Sequence, residues 1–171
     1  MQYHGKRAAI LIEDMFNDYE FIYPYYRLLE AGCQVQVVGP QSKKSYSGKS
    51  GTTASSTLSA EEADAGQFDV LVIPGGYAPD HMRRHKAMVD LVRAMVEKDK
   101  VVAAICHAGW MLASADVLQG RKVTSFFAIK DDMVHAGANW TDEEVVVDTN
   151  LVTSRTPDDL PAFMRSILEL L

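Results

Sequence analysis

Apolar residues in this chain fall into short unbroken runs, separated by stretches in which they recur every three or four positions. Ala8-Ala9-Ile10-Leu11-Ile12, Gln34 to Val38, Asp69 to Ile73 and Val101-Val102-Ala103-Ala104-Ile105 are too short for helices and rich in aliphatic side chains. Runs of that kind predict strands buried on both faces. Tyr19 to Glu30, closed by Gly32, predicts a helix, with Pro24 inside it expected to kink it or free a carbonyl. Met88, Leu91, Val92, Met95 and Val96 predict a second helix with one apolar face. Gln41 to Ala60 is polar and reads as a small hairpin or excursion, with Ser47-Gly48-Lys49 as its turn. Lys122-Val123-Thr124 starts a short strand, and Thr149-Asn150 joins Val145 to Asp148 and Leu151 to Thr153 as a hairpin. Thr156-Pro157-Asp158-Asp159 opens a final helix running from Phe163 to Leu171. The alternation of strand and helix predicts an α/β protein with a mostly parallel sheet and helices on both faces, residues 1–171 forming one domain.

The fourth strand ends abruptly at Cys106-His107, with Ala104 and Ala108 two positions to either side of the cysteine. Small neighbours there are what a nucleophile elbow requires, because a tight strand-to-helix turn crowds them. Trp110 to Ala115 reads as the following helix, so the thiol is expected at a helix N-terminus with a pKa below the ~8.5 of a free cysteine. Three chemically distinctive sites follow predicted strands: Glu13, Gly75-Gly76 and Cys106. Parallel α/β sheets bind ligands beyond the carboxyl ends of their strands, which places a carboxyl, two flexible amides and a thiol in one crevice. Side chains of adjacent residues diverge, so the residues alone leave His107 open between base catalysis and a structural role.

Composition narrows the function. A formal net charge of −6 argues against a sequence-independent nucleic-acid binder, and no apolar run approaches the length of a membrane span. Two cysteines in 171 residues make a disulfide framework improbable and point to a reducing compartment, so the cytoplasm is the expected location. Cys33 reads as core packing. His81 and His85 have helical ligand spacing without a third ligand, and read as a solvated basic face with Arg83, Arg84 and Lys86. Gly75-Gly76 lacks the rest of a nucleotide fingerprint, so neither metal nor cofactor is expected. The aromatic first helix, Tyr19 to Tyr26, reads as core or as a subunit contact.

Taken together, Glu13-Asp14 with Tyr23-Pro24-Tyr25, Leu71 to Pro79, Ala103 to His107, Lys130 to Met133, Asn139-Trp140, Glu143 to Asp148 and Ser154 to Leu160 resemble the PfpI-like family. That family belongs to the class I glutamine-amidotransferase-like superfamily, and the resemblance runs from Arg7 to Leu171. It implies a flavodoxin-like three-layer α/β/α sandwich carrying a nucleophile elbow. It also implies Cys106 as nucleophile, Glu13 as the acid bonded to the sulfur, and the amides of Gly76 and His107 as the oxyanion hole. Asp80 matches an acid that orients the histidine across a subunit interface, which implies a homodimer or higher oligomer. Gly75, Ala108 and Trp110 are the candidates for the substrate pocket. The chain reads Cys106-His107-Ala108-Gly109 where the family reads Cys-His-Gly-Pro, and Asp80 stands where Glu is common. The expected function is a cysteine-dependent hydrolase in the stress response, acting on small carbonyl compounds or adducts, or on peptides and proteins, with peptide hydrolysis the weaker. A redox-sensing or chaperone-like protein with an oxidisable Cys106 is the alternative. A glutamine amidotransferase is a weaker alternative, because its triad needs a His two residues before a Glu and no such pair follows Cys106.

Overall fold

The computed structural model describes residues 3–171. The first βαβ unit comprises β1 (Arg7–Leu11), α1 (Asp18–Ala31) and β2 (Gln34–Gly39). Gly32 ends the helix in the left-handed conformation at φ 100°, donating to the carbonyls of Leu28 and Leu29. The polar excursion forms a hairpin of β3 (Ser45–Ser47) and β4 (Thr53–Ser55), and the short β5 (Leu58–Ser59) follows it. Next come β6 (Val70–Ile73), α2 (Ala78–Met82), α3 (Lys86–Glu97) and β7 (Val101–Ile105). Beyond the elbow lie α4 (Gly109–Ser114), β8 (Lys122–Val123), α5 (Lys130–His135) and β9 (Asn139–Trp140). A hairpin of β10 (Val145–Asp148) and β11 (Leu151–Ser154) leads into α6 (Leu160–Glu169).

Seven strands form one sheet in the order β10-β11-β7-β6-β1-β2-β5, all parallel except β10, which pairs antiparallel with β11. Helices cover both faces, with α1 packing against α6 and α3 against α4. Every residue of β6 and β7 is buried, as continuous apolar runs in a covered parallel sheet require. The short strand at Lys122 lies outside this sheet and pairs with β9 instead. Pro24 sits within α1 without ending it. Having no N–H, it leaves the Glu20 carbonyl without its usual helical donor. Among the described residues no helix is long and apolar enough to cross a membrane.

Parallel pairing of β1, β6 and β7 brings their carboxyl ends to one edge, and the loops there are bonded to one another. Asn17 donates its backbone N–H to the Gly75 carbonyl at 3.1 Å, and Phe16 bridges to Gly76. Everything the site needs is assembled at this edge.

Candidate active site

Strand β7 delivers Cys106 into a left-handed backbone conformation, φ 63°, which few residues other than glycine adopt. A 3-10 turn, Cys106–Ala108, then leads into α4. Ala104 and Ala108 are buried, as the elbow sterics demand. The backbone N–H groups of Gly76 and His107 are directed at the sulfur, where they favour negative charge. Gly76 has φ 78°, and a Cβ there would lie 2.5 Å from the Asn17 nitrogen and 2.6 Å from the Met15 carbonyl oxygen. A side chain at Gly76 would therefore force the two loops apart.

The carboxyl that faces Cys106 is Glu20, not Glu13. Glu20 lies three residues after Asn17, the N-cap of α1, whose Oδ1 accepts from the N–H groups of Tyr19 and Glu20. In a capping box the glutamate would return to the N-cap N–H. Here the Gly75 peptide is inserted between them. It takes the Asn17 N–H on its oxygen and gives its own N–H to Glu20 Oε2 at 2.7 Å. The other oxygen, Oε1, is buried with no partner of ordinary hydrogen-bond geometry. A Cβ on Gly75 would lie 2.5 Å from Glu20 Oε2 and 2.7 Å from Cys106 Cβ, so glycine is what lets acid and thiol meet. Glu13, the residue expected against the sulfur, pairs instead with His85 Nε2 at 3.0 Å and accepts from the Asp14 N–H. It emerges from β1 before the chain has turned into α1. His85, read as part of a solvated basic face, is thus engaged by a buried carboxyl.

The positive φ of Cys106 also brings its side chain to that of its neighbour: Sγ lies 3.2 Å from His107 Nδ1, although adjacent side chains ordinarily diverge. The imidazole stacks on Phe126 at 4.8 Å and meets Trp110 edge-on at 5.2 Å. Cys106 and His107 line a cleft of about 360 Å³, together with Gly76, Asn17 and Tyr77. Lys49, Phe126, Thr156 and Pro157 complete it. Of the expected pocket residues, Gly75 lies behind the reacting groups, and Ala108 is fully buried beneath them. Trp110 supports His107 and donates to Asp132 Oδ2 at 2.8 Å, outside the cleft wall. Gly109 is explained by Met133, whose sulfur would lie 2.6 Å from a Cβ at that position. Asp80 is half-exposed on α2 and pairs with Arg84, just past the end of that helix. Among the described residues no cluster of three or more His, Cys, Asp or Glu side chains is placed to hold a metal ion.

Electrostatics at the elbow overturn the expectation of a lowered thiol pKa. Burial, and then the charge of Glu20, push Cys106 up to about 12 against the opposing amides of Gly76 and His107. Helix α4 has only six residues and cannot outweigh them. Burial likewise pushes Glu20 up to about 7, opposed by the Gly75 N–H, the thiol and the positive charge of Lys49. His107 is held below the ordinary imidazole value by burial and by Lys49. The site therefore pairs a buried thiol with a carboxyl that takes or gives a proton near neutrality. Glu20 and Lys49 both escaped the sequence reading, though the Asn17-x-x-Glu20 spacing of a capping box was a signal for the first.

Residues 6–170 match the model of the DJ-1/PfpI family. The chain is 46% identical over 165 residues to Deglycase PfpI of Pyrococcus furiosus, covering 96% of this chain and 99% of the relative. It is 46% identical over 170 residues to Protein/nucleic acid deglycase 2 of Escherichia coli, covering 98% of each. Among solved structures, a two-domain protein from Anabaena variabilis with DJ-1/ThiJ/PfpI-like and ferritin-like domains superposes with a TM-score of 0.95 at 45% identity. The match covers 96% of this chain and 47% of that one.

Proposed function

Because the chain belongs to the DJ-1/PfpI family, we propose that it is a cysteine-dependent hydrolase that removes small dicarbonyls or their adducts by means of Cys106. The observation that carries this reading is the convergence on one sulfur of two backbone donors, Gly76 and His107, and one carboxyl, Glu20. Two relatives matched over nearly their full length are also named as deglycases. In the proposed reaction the sulfur adds to an aldehyde carbon as the thiol proton passes to the Glu20 carboxylate. The new alkoxide oxygen shares its carbon with the sulfur, which places it within reach of the amides of Gly76 and His107. For methylglyoxal, His107 carries the proton of the attacked carbon to its neighbour, and water then hydrolyses the resulting thioester to lactate. Net consumption is one water per dicarbonyl.

Peptide cleavage is the weaker activity in this proposal, because a leaving amine must be protonated by a well-oriented acid. Within one chain Asp80 is engaged with Arg84, so its orienting of His107 depends on a partner subunit in a homo-oligomer. A cytoplasmic, stress-protective setting is part of the same proposal. Turnover of methylglyoxal and of an unstructured peptide by wild type and Cys106→Ser in parallel is the test. We expect measurable methylglyoxal turnover, weak peptide cleavage and the loss of both in the variant. Strong peptide cleavage without methylglyoxal turnover would overturn the proposal.

A further inference from the structure

One cation in the cleft has no part in the chemistry just described. Lys49 lies at the tip of the β3–β4 hairpin, on the exposed rim of the cleft that Cys106 and His107 floor. Its ammonium lies 5.1 Å from the centre of the Tyr77 ring, another residue of that wall. No carboxylate pairs with it among the described residues. Its charge nevertheless reaches both Glu20 and His107.

The turn that carries Lys49 is tied to the β1–α1 loop and to α1 by hydrogen bonds. The Lys49 N–H donates to the Phe16 carbonyl at 2.9 Å, and the Met15 N–H to the Ser47 carbonyl at 2.7 Å. Asp18 spans the turn with both carboxylate oxygens, accepting from Ser50 N–H and Thr52 N–H at 2.9 Å each. Asp14 accepts from Ser47 N–H at 2.9 Å. Gly48 faces Asp18 so closely that a Cβ there would lie 2.7 Å from Oδ1. These bonds fix the backbone of the tip against the β1–α1 loop and the start of α1. A turn so held carries Lys49 at the cleft rim without the entropic cost of ordering the loop on binding.

We propose that Lys49 makes the Cys106 cleft a carboxylate subsite, favouring small ligands whose carboxylate lies beside the carbon that meets the sulfur. The subsite rests on Cys106 being the nucleophile. It admits carboxylate-bearing carbonyl compounds as substrates, with Tyr77 and Phe126 as apolar walls. The cation at the rim also offsets the like charge that Glu20 presents to an incoming anion.

Alkylation tests this without reference to turnover. Iodoacetate and iodoacetamide differ in charge but react alike: the sulfur bonds to the methylene carbon, iodide leaves, and the thiol proton passes to Glu20 or water. Taking the ratio of their rates at Cys106, in a Cys33→Ala background, cancels the intrinsic reactivity of the thiol. We expect the ratio to exceed that of glutathione in the same buffer. Lys49→Met should lower it about three- to fivefold, the scale of one solvent-screened charge pair, and Lys49→Arg should retain it. A ratio unchanged in Lys49→Met would overturn the subsite. A Cys106 inert to both reagents would overturn the nucleophile instead, and calorimetric titration with glycolate would then decide the subsite. Weaker binding in Lys49→Met supports it, and equal binding contradicts it.

Discussion

The chain has two thiols, both buried, and they share almost nothing else. Cys33 lies between α1 and β2, 5% exposed, with its N–H on the Leu28 carbonyl as part of the helix cap. Burial raises its thiol, the charge of Asp69 adds to that, and Lys6 opposes it. Cys106 is 8% exposed and its thiol is raised by burial too. The difference lies in the backbone around each. Cys106 is held at φ 63°, which turns its sulfur toward two amides, an imidazole and a carboxyl, whereas Cys33 lacks the positive φ and feels only the charges of Asp69 and Lys6. Depth of burial therefore does not tell the two thiols apart; what the strained turn gathers around the sulfur does, and it is the ground on which reactivity is proposed for Cys106.

The sharpest separation of the two thiols is kinetic. Cys106→Ser should lower methylglyoxal turnover by about a thousandfold or more, while Cys33→Ser should stay within about twofold, both read as kcat/KM. Comparable losses from the two would erase the distinction. Next in size is Gly75→Ala, whose new Cβ would sit where Glu20 Oε2 and Cys106 Cβ now approach. We expect roughly a hundredfold loss of kcat, because ångström displacements of reacting groups cost about that much. Its alkylation kinetics at Cys33 should not change, which separates a local effect from unfolding.

A third expectation concerns stability. Glu20 has no exposed surface, and burial lifts its carboxyl from the ordinary 4.5 to about 7. As pH rises past the unfolded value, the unfolded chain ionises while the folded one keeps its proton. Stability is thus lost on the way up through the folded value, by roughly 3 kcal/mol in all. Glu20→Gln removes that loss, so urea unfolding should show the variant gaining on wild type between about pH 4 and about pH 8. A constant difference across that range would show that Glu20 ionises freely in the fold. The smallest effect belongs to Glu13. Paired with His85 and away from the sulfur, Glu13→Gln should change kcat/KM by only a few-fold, whereas Glu20→Gln should cost about a hundredfold.

These two glutamates also mark what was legible in the sequence. The positions of the main strands, the Thr149-Asn150 hairpin and the elbow at Cys106 could be read because each rests on local rules: apolar runs, turn residues and small neighbours. The choice between Glu13 and Glu20 rests on a nonlocal event, the insertion of the Gly75 peptide between an N-cap and its capping-box partner. Seven residues of sequence separate the two acids, and only the start of α1 decides which one turns inward. Ala108 was misplaced for a related reason. A small residue at an elbow signals crowding, and here the crowding comes from the core below and not from the pocket above. Lys49 was out of reach entirely, because the hairpin that carries it is placed by bonds from Asp18 and Phe16 some thirty residues earlier.

The most direct test of the Cys106–Glu20 partnership is the pH dependence of kcat/KM for methylglyoxal, measured on wild type and Glu20→Gln. The carboxylate must be free to take the thiol proton, so wild-type activity should rise with pH through an inflection near 7, the value to which burial pushes Glu20. That inflection should be absent from the variant. An inflection near 7 that survives Glu20→Gln would contradict the partnership and assign the proton to another group.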